Sequence, residues 1–265
     1  MSLAEDLAFF DCNATIGKLA VPALGSWLSA EAIVEEMDRF AIKEALVAHA
    51  WSREIEPSVG NAKLRTAVEA GGGRLHGLWT VNPHHGRISP PEPEAVAELL
   101  AAGMRAAVVH PNPTLVIMDE GIHARHFVLH QAVTGLLFAE LEQHRIPLFI
   151  DMAQLRWDEV YDTCAAHPDL PLVLMNVHYT HKRSLFAGLE NYPNLHFEIS
   201  GWHVHEGIEE LVREFGASQV LFGSRLPTYT AAAAMAMVLY AGVPVEAKAA
   251  IAGGNLRRLL VGVRG

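Results

Sequence analysis

The chain has 265 residues, of which 51% are hydrophobic and 19% charged; this suits one large globular domain and excludes a disordered or fibrous protein. Thirty acidic residues against twenty basic ones leave a formal net charge of -10, so we expect neither nucleic acid nor an anionic membrane as a partner. Two cysteines without CxxC spacing indicate a reducing cytoplasm, and we expect no signal peptide and no membrane span. The unusual feature is the count of 15 histidines.

Short apolar runs alternate with longer helical patterns along the whole chain. The strand candidates, in order, are Ala8–Asn13, Glu44–His49, Leu75–Val81, Met104–His110, Pro147–Asp151, Pro171–Asn176, Leu195–Ser200 and Gln219–Gly223. Most of them are near-continuous apolar stretches, as in LFID and LVLM. That pattern is typical of parallel strands that are buried on both faces.

Helical patterns fill the spaces between these strands. Helices are predicted at Ala30–Phe40 after an N-cap at Ser29, and at Phe127–His144, Trp157–Ala166, Glu206–Phe215 and, as a closing helix, Glu246–Leu260. Strands and helices that alternate eight times in this length predict a (β/α)8 TIM barrel, with residues 1–265 as a single domain. A doubly wound open sheet is the alternative, but no GxGxxG motif follows the first strand.

The polar residues at the predicted strand ends are the candidates for chemistry, because a TIM barrel places its reacting groups there. The set includes Asn13, Trp51, His110, Asp151, Asn176, His178, His203, His205 and Arg225. Histidine occurs at these ends more often than a random scatter would give. A single histidine at a strand end is nevertheless most often an ordinary hydrogen-bonding residue.

Several strand-end motifs resemble those of the amidohydrolase superfamily, in its amidohydrolase-related group of small metal-dependent hydrolases and decarboxylases. The similarity rests on FFDCNATIG at the first strand, IPLFIDMA at the fifth, LPLVLMNVHY at the sixth, NLHFEIS at the seventh and VLFGSRLP at the eighth. It extends to the closing IAGGNLRRLL. The resemblance implies a TIM barrel with the activity of a hydrolase or a decarboxylase-like lyase.

The resemblance also implies a divalent metal site, yet this chain differs at the ligand positions. Family members carry His-x-His at the end of the first strand, where this chain has Asn13 and Thr15. They end the fifth and sixth strands with histidine, where Asp151 and Asn176 stand here. Their last ligand is the aspartate of a Gly-Ser-Asp-x-Pro motif, and Arg225 replaces it. A guanidinium is always protonated and has no lone pair to offer a cation.

We therefore expect no cofactor and no metal of the family type, with Asp151 and Arg225 forming an ion pair in a degenerate metal site. The alternative is a relocated divalent ion such as zinc. Its ligands would be Asp151, His178, His203 and His205, since the last two have His-x-His spacing.

Two functions are compatible with these residues. The first is an enzyme, a hydrolase or a decarboxylase-like lyase, that acts on a small carboxylated or otherwise anionic molecule. Arg225 would bind the carboxylate, and His178 or His205 would act as general acid or base with Asp151 orienting it. The pocket would be completed by Asn13, Trp51, His110, Asn176 and His203.

The second function is a catalytically inactive barrel that binds a small molecule or a protein partner. It follows from the loss of the family's metal ligands, which removes the metal-activated water. The apolar stretch Ala231–Tyr240 is compatible with packing on the barrel and with a homodimer interface.

Overall fold

The computed structural model describes residues 3–19, 29–112 and 126–265, and its framework is a sheet of eight parallel strands. The strands are β1 (Phe10–Ile16), β2 (Glu44–His49), β3 (Leu75–Thr80), β4 (Ala106–Val108), β5 (Leu148–Asp151), β6 (Leu172–Met175), β7 (Leu195–Glu198) and β8 (Val220–Leu221). Each strand pairs with the next one along the chain, from β1 to β8. The predicted (β/α)8 barrel is confirmed.

Backbone hydrogen bonds between the first strand and the segment after the last one close the sheet. Cys12 N donates to Phe222 O over 3.0 Å, and Thr15 N donates to Leu226 O over 2.8 Å. Both faces of the sheet are buried, because apolar side chains such as Phe149 fill the barrel interior and others pack under the helices. This arrangement accounts for the near-continuous apolar runs in the sequence.

Helices surround the barrel. They are α1 (Leu3–Leu7), α2 (Ala30–Arg39), α3 (Ala50–Glu54), α4 (Pro57–Ala70), α5 (Glu92–Ala101), α6 (Gln131–Gln143), α7 (Trp157–Ala166), α8 (Lys182–Asn191), α9 (Gly207–Phe215), α10 (Ala231–Tyr240), α11 (Val245–Ala249) and α12 (Asn255–Val261). None of the helices in the described parts of the chain is long and apolar enough to cross a membrane.

Helix boundaries follow local capping. Ser29 caps α2 as predicted, since its Oγ accepts a hydrogen bond from Ala32 N over 3.2 Å. The helix predicted from Phe127 begins later, at Gln131, because the His130 side chain accepts from the backbone and serves as the N-cap. The predicted closing helix is continuous through α11 and α12, with a π-helical turn between them.

The first strand lies further along the chain than predicted. It runs from Phe10 to Ile16, whereas the sequence pattern favoured Ala8–Asn13. Its pairing with β2 shifts register between Asp11 and Ala14. The polar residues Asn13 and Thr15, which the sequence pattern placed at and after the end of the first strand, thus lie within β1.

Candidate functional site

A cavity of about 300 Å³ lies at the C-terminal ends of the strands, and we call it the mouth cavity. Leu78, Val108 and Met175 form part of its apolar lining. Its polar lining consists of Asn13, Thr15, His49, Arg53, His110, Asp151, Gln154, Asn176, Arg225 and Thr228. An apolar concavity with a few convergent polar groups is the common composition of a small-molecule site.

The structure brings part of the predicted site to this cavity. The predicted residues among its lining are Asn13, His110, Asp151, Asn176 and Arg225. They lie in five different strands or in the residues that follow them, and the barrel topology gathers them at one opening.

Three predicted histidines lie outside the mouth cavity. The side chain of His205 is 95% exposed, and that of His203 also faces solvent. His178 is exposed, and its Nδ1 lies 2.9 Å from Thr180 Oγ1. His178 is the N-cap of the 3-10 turn after β6, and His203 and His205 follow the 3-10 turn after β7. The predicted role of His178 or His205 as general acid or base at this cavity is therefore not supported by their positions.

Trp51 is also outside the lining of the mouth cavity. It belongs to α3, and Lys63 Nζ lies 4.5 Å from the centroid of its ring. The indole takes part in this cation–π contact rather than in the lining of the mouth cavity.

The predicted ion pair between Asp151 and Arg225 is not formed, although both residues line the cavity. The carboxylate of Asp151 accepts a hydrogen bond from Asn176 Nδ2 over 2.7 Å and another from Ala153 N over 2.9 Å. The Arg225 guanidinium lies 5.1 Å from the ring centroid of Tyr229. The Asp151 carboxylate thus accepts hydrogen bonds from neutral donors, and the Arg225 guanidinium contacts an aromatic ring. The two side chains do not pair with each other.

A buried hydrogen-bond network around Glu198 supports the two asparagines. Glu198 Oε1 accepts from Asn13 Nδ2 over 3.0 Å, from Asn176 N over 2.6 Å and from Ser200 Oγ over 2.8 Å. Asn13 Nδ2 also donates to Asn176 Oδ1 over 3.0 Å. Burial raises the pKa of Glu198, and these donors oppose that shift. The sequence prediction missed Glu198; the signal was an acidic residue in the otherwise apolar end of β7.

A second buried carboxylate, Asp11, fixes the seam between β1 and β8. Its Oδ1 accepts from Asn13 N over 3.0 Å and from Ser224 N over 2.9 Å, and Ser224 Oγ donates to Oδ2. Burial raises the pKa of Asp11 to about 6, although its hydrogen bonds act in the opposite direction. The backbone that leads to Arg225 is thereby anchored to the first strand.

His110 and Arg53 form another side of the mouth cavity. Nδ1 of His110 is buried and has no hydrogen-bond partner in the described ranges. Burial, and then the positive charge of Arg53, lower the pKa of His110 to about 3, so the imidazole is neutral near pH 7. Arg53 was missed in the sequence; it lies in α3, four residues after the end of β2.

The donor set does not fit a divalent ion of the family type. Two amides, Asn13 and Asn176, stand at ligand positions and donate their N–H groups to carboxylates, which occupies oxygens that a metal would need. Arg225 adds a positive charge to the same cavity. Residues 3–19, 29–112 and 126–265 contain no cluster of three or more His, Cys, Asp or Glu side chains that could hold a metal. The alternative set with His203 and His205 is therefore not assembled either.

Solved structures of similar fold include several enzymes. An uncharacterized TIM-barrel protein from Bordetella bronchiseptica is 17% identical, with a TM-score of 0.69 over 96% of this chain and 98% of that chain. The 2,6-dihydroxybenzoate decarboxylase from Rhizobium is 14% identical, with a TM-score of 0.69 over 96% and 98%. A dihydroxybenzoic acid decarboxylase from a Polaromonas species, solved with manganese and 2-nitroresorcinol, is 13% identical, with a TM-score of 0.67 over 96% and 97%.

At these identities the likeness shows the fold alone. No curated protein matches the sequence. A family model described as amidohydrolase matches residues 61–261, which is well over half of the chain. Together with the eight-stranded barrel, this match establishes that the chain belongs to the amidohydrolase family.

Proposed function

We propose that this protein is an enzyme that acts on a small carboxylated molecule bound in the mouth cavity. The observation that carries the proposal is Arg225, which lines the cavity and whose guanidinium has no carboxylate partner within the described ranges, its contact being with the Tyr229 ring. Arg53 is a second arginine in the lining of this cavity, and its Nη2 lies 3.5 Å from Glu54 Oε1. A guanidinium binds a carboxylate through two parallel N–H···O bonds, which fixes both the position and the orientation of the ligand.

The fold neighbours support the same class of substrate. Two of them are decarboxylases of dihydroxybenzoates, which are small aromatic carboxylates. The apolar lining of the mouth cavity, including Leu78 and Met175, suits a ring or another compact apolar body. Family membership favours a hydrolase, and these neighbours keep a decarboxylase-like lyase as the second possibility.

Asp151 takes the acid–base role in this proposal. Its carboxylate lies in the lining of the mouth cavity, and Asn176 and Ala153 N hold it in place. A carboxylate so fixed can accept a proton from an attacking water in hydrolysis, or hold the proton that replaces a carboxylate in decarboxylation. Neutral His110 provides a further hydrogen-bonding group without adding charge.

Calorimetric titration with benzoate tests the binding half of the proposal. Arg225→Met keeps most of the length of the side chain but removes the charge, and we expect benzoate affinity to fall at least about tenfold. Arg213→Met is the matched control, because Arg213 is exposed on α9 and, among the residues that the structure describes, pairs with its neighbour Glu214 alone. Equal affinity of the wild type and Arg225→Met for benzoate would contradict the proposal.

Turnover tests the catalytic half. A panel of carboxylated esters, lactones and aromatic acids is assayed with the wild type and with Asp151→Asn. We expect turnover by the wild type that Asp151→Asn abolishes while benzoate affinity is retained. Binding without turnover of any panel member would favour the catalytically inactive barrel.

A further inference from the structure

The guanidinium of Arg225 contacts the aromatic ring of Tyr229. Its Cζ lies over the ring, 5.1 Å from the centroid, and a cation–π contact extends to about 6 Å. Among the residues that the structure describes, no carboxylate pairs with this guanidinium. The ring of Tyr229 is therefore the contact that can order the end of this long side chain.

A short turn keeps the two residues together. Tyr229 N donates to Arg225 O over 3.2 Å, which closes the turn. Just before it, Ser224 N donates to the buried carboxylate of Asp11 over 2.9 Å. Just after it, Thr230 is the N-cap of α10. Because the backbone is held on both sides of the turn, Tyr229 stays within reach of Arg225.

An aromatic ring and a carboxylate make different demands on a guanidinium. The ring attracts the positive charge over its face, whereas a carboxylate accepts hydrogen bonds from the N–H groups. A ring can thus order Arg225 and leave N–H groups for an anionic ligand, which an aspartate or glutamate partner would occupy. Ordering a flexible side chain before the ligand arrives lowers the entropy that binding costs, so the ligand binds more tightly.

We infer that Tyr229 is a positioning residue, which holds the guanidinium of Arg225 ready for the substrate carboxylate. This inference rests on the proposed function, because it needs Arg225 to bind that carboxylate. Tyr229 is 54% exposed and is not among the described residues that line the mouth cavity. It therefore acts through Arg225, and the part that matters is the ring rather than the phenol hydroxyl.

Calorimetric titration with benzoate tests this inference in two variants of Tyr229. Tyr229→Leu removes the ring, and we expect benzoate affinity to fall roughly two- to fivefold. Tyr229→Phe keeps the ring and should bind benzoate as the wild type does. Tyr240→Leu is the matched control, because Tyr240 is 85% exposed at the end of α10 and should leave the affinity unchanged. Since Tyr229 is exposed, the urea unfolding midpoints of its variants should stay close to that of the wild type.

A double variant shows whether the ring acts through Arg225. In the Arg225→Met background, Tyr229→Leu should cause no further loss of benzoate affinity, since the guanidinium that the ring orders is gone. An equal loss in both backgrounds would overturn the positioning role. So would a Tyr229→Leu variant that binds benzoate as tightly as the wild type or more tightly, or a Tyr229→Phe variant as weak as Tyr229→Leu. These results leave the proposed function intact, which fails only if Arg225→Met itself does not weaken binding.

Discussion

Asn176 donates from Nδ2 to Oδ2 of Asp151 over 2.7 Å while its own backbone has a φ of 57°. Asparagine adopts this left-handed conformation more readily than most residues with a side chain. One residue thus satisfies two demands at the end of β6: the chain must turn sharply, and an amide must hold the carboxylate in the mouth cavity.

Two substitutions separate these demands. Asn176→Gly and Asn176→Ala both remove the amide, but only alanine is strained at this φ. In urea titrations, we expect the free energy of unfolding of Asn176→Ala to be about 1 kcal/mol lower than that of Asn176→Gly. Ala41, with a φ of 55°, provides the control, because Ala41→Gly should be neutral or stabilising. Equal stabilities of the two Asn176 variants would show that the backbone relaxes.

The buried carboxyl of Asp11 should make stability depend on pH. Its pKa is about 6 in the folded protein against an ordinary value of 3.8, so between these values the native state binds more protons than the unfolded state. The free energy of unfolding should therefore fall as pH rises through this window, by about 3 kcal/mol. Urea titrations from pH 4 to pH 7 measure this, and Asp11→Asn should lack the decline. Parallel curves for the wild type and Asp11→Asn would refute the assignment to Asp11.

Restoring the family's aspartate should not restore a metal site. Arg225→Asp adds one carboxylate, but Asn13 and Asn176 still donate N–H groups to Glu198 and Asp151. We expect calorimetry with Mn²⁺ or Zn²⁺ to give no stoichiometric binding to this variant. A variant that also carries Asn13→His and Asn176→His should gain affinity, because imidazoles then replace the amide donors. Tight binding by Arg225→Asp alone would contradict our interpretation of the donor set.

At the opposite end of the barrel, Arg257 joins the closing helix to the first two strands. Its Nε donates to Glu44 Oε2 over 2.8 Å, its Nη2 donates to Ala8 O over 2.9 Å, and its guanidinium lies 5.3 Å from the Phe10 ring centroid. The ion pair between Arg257 and Glu44 is partly exposed. We therefore expect Arg257→Met to lower the free energy of unfolding by only about 1–2 kcal/mol. Thermal or urea unfolding tests this, with Arg213→Met as the control that should change it by less than about 0.5 kcal/mol.

The barrel was predictable from the sequence because its strands are buried on both faces and leave continuous apolar runs. The gathering of Asn13, Asp151 and Arg225 followed from the same topology, which brings all strand ends to one opening. The positions of His178 and His205 were not predictable, since the sequence pattern does not show the 3-10 turns that follow β6 and β7.

Glu198 and Arg53 were missed for different reasons. A single acidic residue in a strand does not show how many hydrogen-bond donors will surround it. In the fold, the Glu198 carboxylate accepts four hydrogen bonds from Asn13, Asn176 and Ser200. Arg53 was missed because the sequence does not show that α3 packs beside the opening.

The hydrogen bonds between Asp11 and Ser224 join residues that are 213 positions apart. A contact of such long range forms only after nearly the whole chain has ordered, because the entropy of closing that loop must first be overcome. The carboxylate site that we propose needs the same closure, since Arg225 directly follows Ser224. Partly folded chains that still lack the seam are thus unable to bind the ligand, and ligand binding reports on the completion of folding.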